Sequence, residues 1–159
     1  EVLRRLRYET GCFVCWYKTP TERAYSLVGD IFEGPPEETP GWHAGEVETS
    51  TAWAYNPDAM DMSKAKQDRT HAPRWMGDAF SKHDGSGMVT FMGAENIWVP
   101  MEHHEYSDTA TIGNPLRASK EKGEKYFVKA GQALANFIEE VKKFDIVVPE
   151  EKRAFTNRA

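Results

Sequence analysis

Arg5-Leu6-Arg7-Tyr8-Glu9-Thr10-Gly11-Cys12-Phe13-Val14-Cys15-Trp16-Tyr17 sets the expected fold class. Val2, Leu3 and Leu6 share one face of a helix that stops at Gly11, because glycine enters the left-handed conformation without a Cβ penalty. The apolar run at 12–17 reads as a fully buried strand. Helix, glycine and buried strand make half of an α/β unit and imply further parallel strands. The chain opens at Glu1, inside this helical pattern and without a cap, so it reads as part of a larger domain. Cys12 and Cys15 form Cys-x-x-Cys, but residues three apart on a strand point to opposite faces. They read as two buried structural thiols, which suits a reducing, cytoplasmic setting.

Downstream, Pro20, Gly34, Pro35, Pro36, Pro40 and Gly41 hold residues 18–42 mostly in a loop of a length that is often functional. From Trp42 a helix is expected, with Ala44, Val47, Thr51, Ala52, Ala54 and Tyr55 on one face and a stop before Asn56-Pro57. Glu46 and Glu48 fall in its first turns, where negative charge suits the helix dipole. Residues 57–95 read as irregular with one or two short strands, 96–101 as a short strand and 107–114 as loop. Asn114 and Pro115 then cap a long amphipathic helix, expected to run to about Lys143 and to cover one face of a sheet. The whole chain reads as one domain, 1–159, without a linker.

Composition narrows the function classes. The chain has 159 residues, 40% hydrophobic and 28% charged, with a formal net charge of −5, so a packed core is expected and disorder is not. An acidic balance offers no footprint for nucleic acid. No run approaches the ~20 apolar residues of a membrane helix.

The densest polar cluster is Trp42-His43-Ala44-Gly45-Glu46-Val47-Glu48-Thr49-Ser50, which opens a helix after the loop. His43 is a side chain suited to proton transfer near neutral pH. Glu46 and Glu48 lie close enough to orient it or to receive a hydrogen bond. A helix cap with solvated glutamates fits the same residues equally well. His71, His83, His103 and His104 are the remaining histidines. Adjacent His103 and His104 do not have chelating spacing, so surface histidines are the expectation, although His103 or Glu102 could reach a pocket at a strand end. Trp53, Trp75 and Trp98 read as core or interface packing.

His43-Ala44-Gly45-Glu46-Val47-Glu48-Thr49-Ser50, with Ala54-Tyr55-Asn56-Pro57-Asp58 and Met60-Asp61-Met62-Ser63 after it, resembles the second half of the creatininase (creatinine amidohydrolase) family. Ile112-Gly113-Asn114-Pro115, Ala118-Ser119 and Glu121-Lys122-Gly123-Glu124 are similar to that family's approach to its last helix. Leu6-Arg7-Tyr8 and Trp16-Tyr17 fit as well, while residues 64–105 depart. The resemblance implies a three-layer α/β/α fold with a mostly parallel sheet, seen here as its C-terminal part, and ring-like homo-oligomers. It implies a metal-dependent hydrolase acting on a small polar cyclic substrate, a cyclic amide or an oxidised cyclic polyol. Metal-bound hydroxide would attack, and His43 would be the catalytic residue for proton transfer. Trp16, Tyr17, Trp42 and Glu46 would meet the substrate, with Glu48 behind them. The divalent ions, zinc or manganese, would be held by ligands upstream of this chain, on an N-terminal half or a companion chain. The departure at 64–105 argues against creatinine itself. A non-catalytic assembly or binding subunit that kept the fold is the rival expectation.

Overall fold

The computed structural model describes residues 1–17, 29–33 and 43–145. The chain forms two compact units, one of residues 1–19 and 131–159, the other of residues 20–130.

In the first unit, α1 (Val2–Thr10) ends as expected at Gly11, whose φ of 71° lies in the left-handed region and whose N–H bonds to the Arg7 carbonyl. Residues 12–17 do not form the expected buried strand. No strand lies beside them among the described residues, so no ladder satisfies their backbone. Cys12 and Cys15 are exposed free thiols, not core residues. Phe13 packs edge-on against Phe144 at 5.3 Å between ring centroids, and Tyr17 lies 4.9 Å from Phe137.

Among the described residues of the second unit, the first helix is α2 (Glu46–Tyr55), which stops at Asn56-Pro57 as the sequence predicts. Val47 of the predicted apolar face is buried in the core, but Glu46, Thr49 and Ser50 are buried with it, whereas Tyr55 is exposed. Short 3-10 turns follow at Pro57–Ala59, Met62–Lys64 and Arg74–Met76. Three strands then form an antiparallel sheet in chain order: β1 (Phe80–Ser81), β2 (Met88–Phe91) and β3 (Glu95–Trp98). Phe80 pairs with Phe91, and Val89 with Ile97. The mostly parallel three-layer sheet is therefore not what the described residues form; the fold they show is mixed helix and antiparallel sheet. The strands are joined by short local links, and such links favour antiparallel pairing.

A single helical turn, α3 (His103–Tyr106), carries a reciprocal cap in which Glu102 and Glu105 each bind the other's backbone N–H. The loop after it is tied down by Asp68. Its backbone bridges Gly113, and its carboxylate accepts from the Ser107 hydroxyl and from both the N–H and hydroxyl of Thr109. Asn114 does act as a cap, accepting from the Leu116 N–H, but the turn it caps is the 3-10 segment Pro115–Arg117. Ala118 is extended, and α4 (Lys120–Val141) starts afresh after it, so the expected continuous helix is two elements. Of α4, only Gly123 and Tyr126 are buried; Phe127, Leu134 and Ile138 are exposed, so the predicted cover over a sheet is not seen among the described residues. Ile31, Phe32, Val47 and Tyr126, with Ala130 against them, make the core cluster of this unit.

Candidate functional site

Two of the sequence blocks that carry the family resemblance, the one opening at His43 and the one around Lys122, pack on each other. Glu46 is fully buried. Its two carboxylate oxygens accept the Glu33 N–H at 3.0 and 3.1 Å, and one accepts the Lys122 ammonium at 2.6 Å. That ammonium also donates to the Glu33 carboxylate at 2.7 Å and to the Arg117 carbonyl at 2.6 Å. Burial works against the charged form of Lys122, but Glu33 and Glu46 outweigh it and hold its pKa above the usual lysine value. Lys122 in turn draws the Glu33 carboxyl below its ordinary range. One turn further along, Ser50 accepts the Ser119 N–H and donates to the Glu46 carbonyl. A Cβ on Gly123 would stand 2.0 Å from the Ser50 carbonyl oxygen, so only glycine lets α4 lie this close to α2.

This junction carries the turn that holds His43. Glu48 accepts the Ala44 N–H at 2.9 Å, and Ala44 sits at φ 50°, in the region a non-glycine residue seldom adopts. The His43 carbonyl accepts the Ile112 N–H at 2.7 Å, which links the turn to the loop that Asp68 holds. The exposed His43 ring meets the His103 ring edge-on, with centroids 4.4 Å apart and planes at 71°. His103 lies 5.2 Å from the Tyr106 ring. A cleft of about 480 Å³ opens beside His103 and Tyr106, lined also by Ser86, Gly87, Trp98 and Glu102 among others, and His43 is not part of its lining. Burial raises the Tyr106 hydroxyl above its usual pKa, with the charges of Glu102 and Asp84 adding to the effect. The Glu102 backbone N–H and the Trp75 indole hold Glu105 below the ordinary carboxyl range.

The expected site residues separate. His43 has come together with His103, a residue the sequence left at a strand end with no partner. Glu46 is committed to Glu33 and Lys122 and faces no solvent, and Glu48 braces the turn. Trp16 is exposed and Tyr17 packs on Phe137, both in the first unit, while Trp42 lies outside the described residues. Lys122, Gly123 and Lys82 were not among the expected site residues. Glu-Lys-Gly-Glu was legible as a motif, but its partner was not, since nothing local ties it to Glu46.

Among the described residues, no group of three or more His, Cys, Asp or Glu side chains could hold a metal ion. His71 pairs with Asp108 at 3.5 Å, and His83 with the Ser81 hydroxyl at 3.2 Å, each apart from the other histidines. The two-metal centre that the resemblance implies therefore does not fit the donors described in this chain. No helix among them is long and apolar enough to cross a membrane.

Among curated proteins, none matches the chain significantly. A crystal structure from Bacteroides fragilis, of a protein provisionally assigned as a creatinine amidohydrolase, shares the fold with a TM-score of 0.59 at 22% identity. The match covers 92% of this chain and 50% of that one, so the chain spans about half the length of its solved relative. The family model described as Creatininase, creatinine amidohydrolase, matches residues 1–138, and the chain therefore belongs to the creatininase family.

Proposed function

We propose that this chain is the proton-handling, C-terminal part of a creatininase-like hydrolase acting on a small polar cyclic compound, a cyclic amide or an oxidised cyclic polyol. The observation that carries this reading is the exposed His43 ring, set on a braced turn and in edge contact with His103, which itself lines a cleft. When the ring bond of the substrate breaks, its electron pair moves to the leaving nitrogen or oxygen, and the His43 imidazolium gives that atom a proton. His103, against the His43 ring, limits the directions in which that proton can be offered. Activation of the attacking water is not assigned to any residue described here. Divalent metals, zinc or manganese, would be supplied with their ligands by an N-terminal half or companion chain in a homo-oligomeric assembly. Two exposed free thiols suit a reducing compartment such as the cytoplasm. The burial of Glu46 favours an anchoring role over a substrate contact.

The test is His43→Ala in the intact assembly. Turnover should fall about 100- to 10,000-fold with the melting temperature unchanged, the range expected for loss of a positioned acid–base group. Turnover near that of the parent protein would remove His43 from the mechanism. A second reading, a non-catalytic assembly or binding subunit, is favoured by the lack of a three-donor group among the described residues. Native mass spectrometry separates the two. A second polypeptide carrying divalent metal supports the hydrolase, and a metal-free assembly of this chain alone supports the subunit.

A further inference from the structure

Lys82 is buried in the connection between β1 and β2, with no exposed side-chain surface. The turn that follows wraps around its ammonium. The Ser86 carbonyl accepts from it, the Met88 carbonyl lies at 3.4 Å and the Asp84 carboxylate at 3.8 Å. Asp84 is itself fixed by the N–H and hydroxyl of Ser86. The remaining side of the ammonium faces an aromatic ring: its nitrogen stands 4.5 Å from the centroid of Tyr106. A buried ammonium needs compensation for lost water, and the electron-rich face of a ring supplies part of it. Burial holds Lys82 below the usual lysine pKa, with Asp84 pulling the other way.

Tyr106 is the middle of a continuous row within the unit of residues 20–130. Lys82 lies over its ring, the His103 ring stands 5.2 Å from it, and the His43 ring stands 4.4 Å beyond that. The backbone on both sides is pinned. The Tyr106 carbonyl accepts the His71 N–H, and the Ser107 N–H reaches the His103 carbonyl. With the main chain fixed, the direction of the Tyr106 ring is set by what faces it. A turn of the ring would take its face from the ammonium and leave that charge facing less electron density.

We propose that Lys82 is a positioning residue for the His43–His103 pair, acting through the ring of Tyr106; this rests on the reading of His43 as the proton carrier. Lys82 fixes the Tyr106 ring, the ring fixes the angle of His103, and His103 limits the swing of His43. Lys82 touches neither histidine and exchanges no proton with the substrate.

The test uses the full-length enzyme and two readouts, the ring-proton resonances of the two histidines and steady-state kinetics. Lys82→Met keeps the stem and removes the charge. Both histidine ring signals should shift, and kcat should fall about 10- to 100-fold with KM unchanged, the scale of a small misplacement of a catalytic group. Tyr106→Phe keeps the ring and should leave both histidine ring signals near those of the parent, which separates the ring's contact from its hydroxyl. Tyr106→Leu breaks the row without removing a charge and should shift the His43 signal, so the idea remains testable if Lys82→Met fails to fold. Histidine signals that stay in place in a folded Lys82→Met chain overturn the inference, even if that chain melts earlier. Signals that move while His43→Ala retains full turnover uphold the positioning contact and overturn the proton-transfer reading instead.

Discussion

Replacing Glu46 separates an anchor from a substrate contact. Its carboxylate is fully buried, takes the Glu33 N–H on both oxygens and holds Lys122 at 2.6 Å. Breaking a buried ion pair by removing one partner typically costs about 3–5 kcal/mol. Lys122 would keep the Glu33 carboxylate and the Arg117 carbonyl, both within 2.7 Å, so its charge would not be left alone. Glu46→Ala is therefore expected near the lower end, about 3 kcal/mol. Glu46→Gln keeps one acceptor oxygen and should cost about 1.5 kcal/mol, the lower value for a hydrogen bond to a charged group. Urea unfolding followed by circular dichroism reads both. With an m-value of about 1–3 kcal/mol/M, the alanine change moves the midpoint down by about 1–3 M at constant slope. A double-mutant cycle with Lys122→Met should show coupling of about 1–3 kcal/mol. The reasoning is refuted if Glu46→Ala costs under about 1 kcal/mol. A raised KM at unchanged stability would instead return Glu46 to the substrate.

Two further outcomes follow from the same geometry. Gly123→Ala would place a methyl 2.0 Å from a backbone oxygen and 2.7 Å from the Ala54 Cβ, which cannot rotate away, so it should cost at least about 3 kcal/mol, read as a lowered melting temperature. An unaffected melting point would mean that α2 and α4 do not approach this closely. Burial alone would raise the Asp68 carboxyl, but hydrogen bonds from Ser107, Thr109 and Arg69 outweigh it and hold the pKa below the usual carboxylate range. A depressed folded-state value means that this contribution to stability is complete above the unfolded pKa and is lost as pH falls through the folded one. Asp68→Asn should flatten the acid limb of unfolding free energy measured from about pH 6 down to about pH 2, and an unchanged limb would remove Asp68 from acid stability.

The sequence was most legible where local chemistry decides. Gly11 stops α1, Asn56-Pro57 stops α2, and Asn114 caps a turn because each effect is settled within a few residues. It misled where burial is decided by distant partners. The apolar periodicity of α2 pointed rightly to Val47, which meets Tyr126, but also to Ala52 and Tyr55, whereas Glu46 and Ser50 are the buried residues, since the facing element offers Lys122 and a glycine there. Residues 12–17 look like a core strand by composition alone, but a strand is only as buried as its neighbours allow, and none flanks it among the described residues. The motif draws attention to His43. The motif could not show His103 or the Lys82–Tyr106 contact behind it, because those come from a region that departs from the family pattern.

The Glu46–Lys122 contact joins residues 76 positions apart. During synthesis, an elongation rate of about 5–20 residues per second puts Lys122 roughly 4–15 s behind Glu46. Over that interval the carboxylate lacks its native ammonium, and α2 lacks the glycine that approaches Ser50. The turn that carries His43 therefore gains its Lys122 lock only after the chain has reached α4, its last described helix.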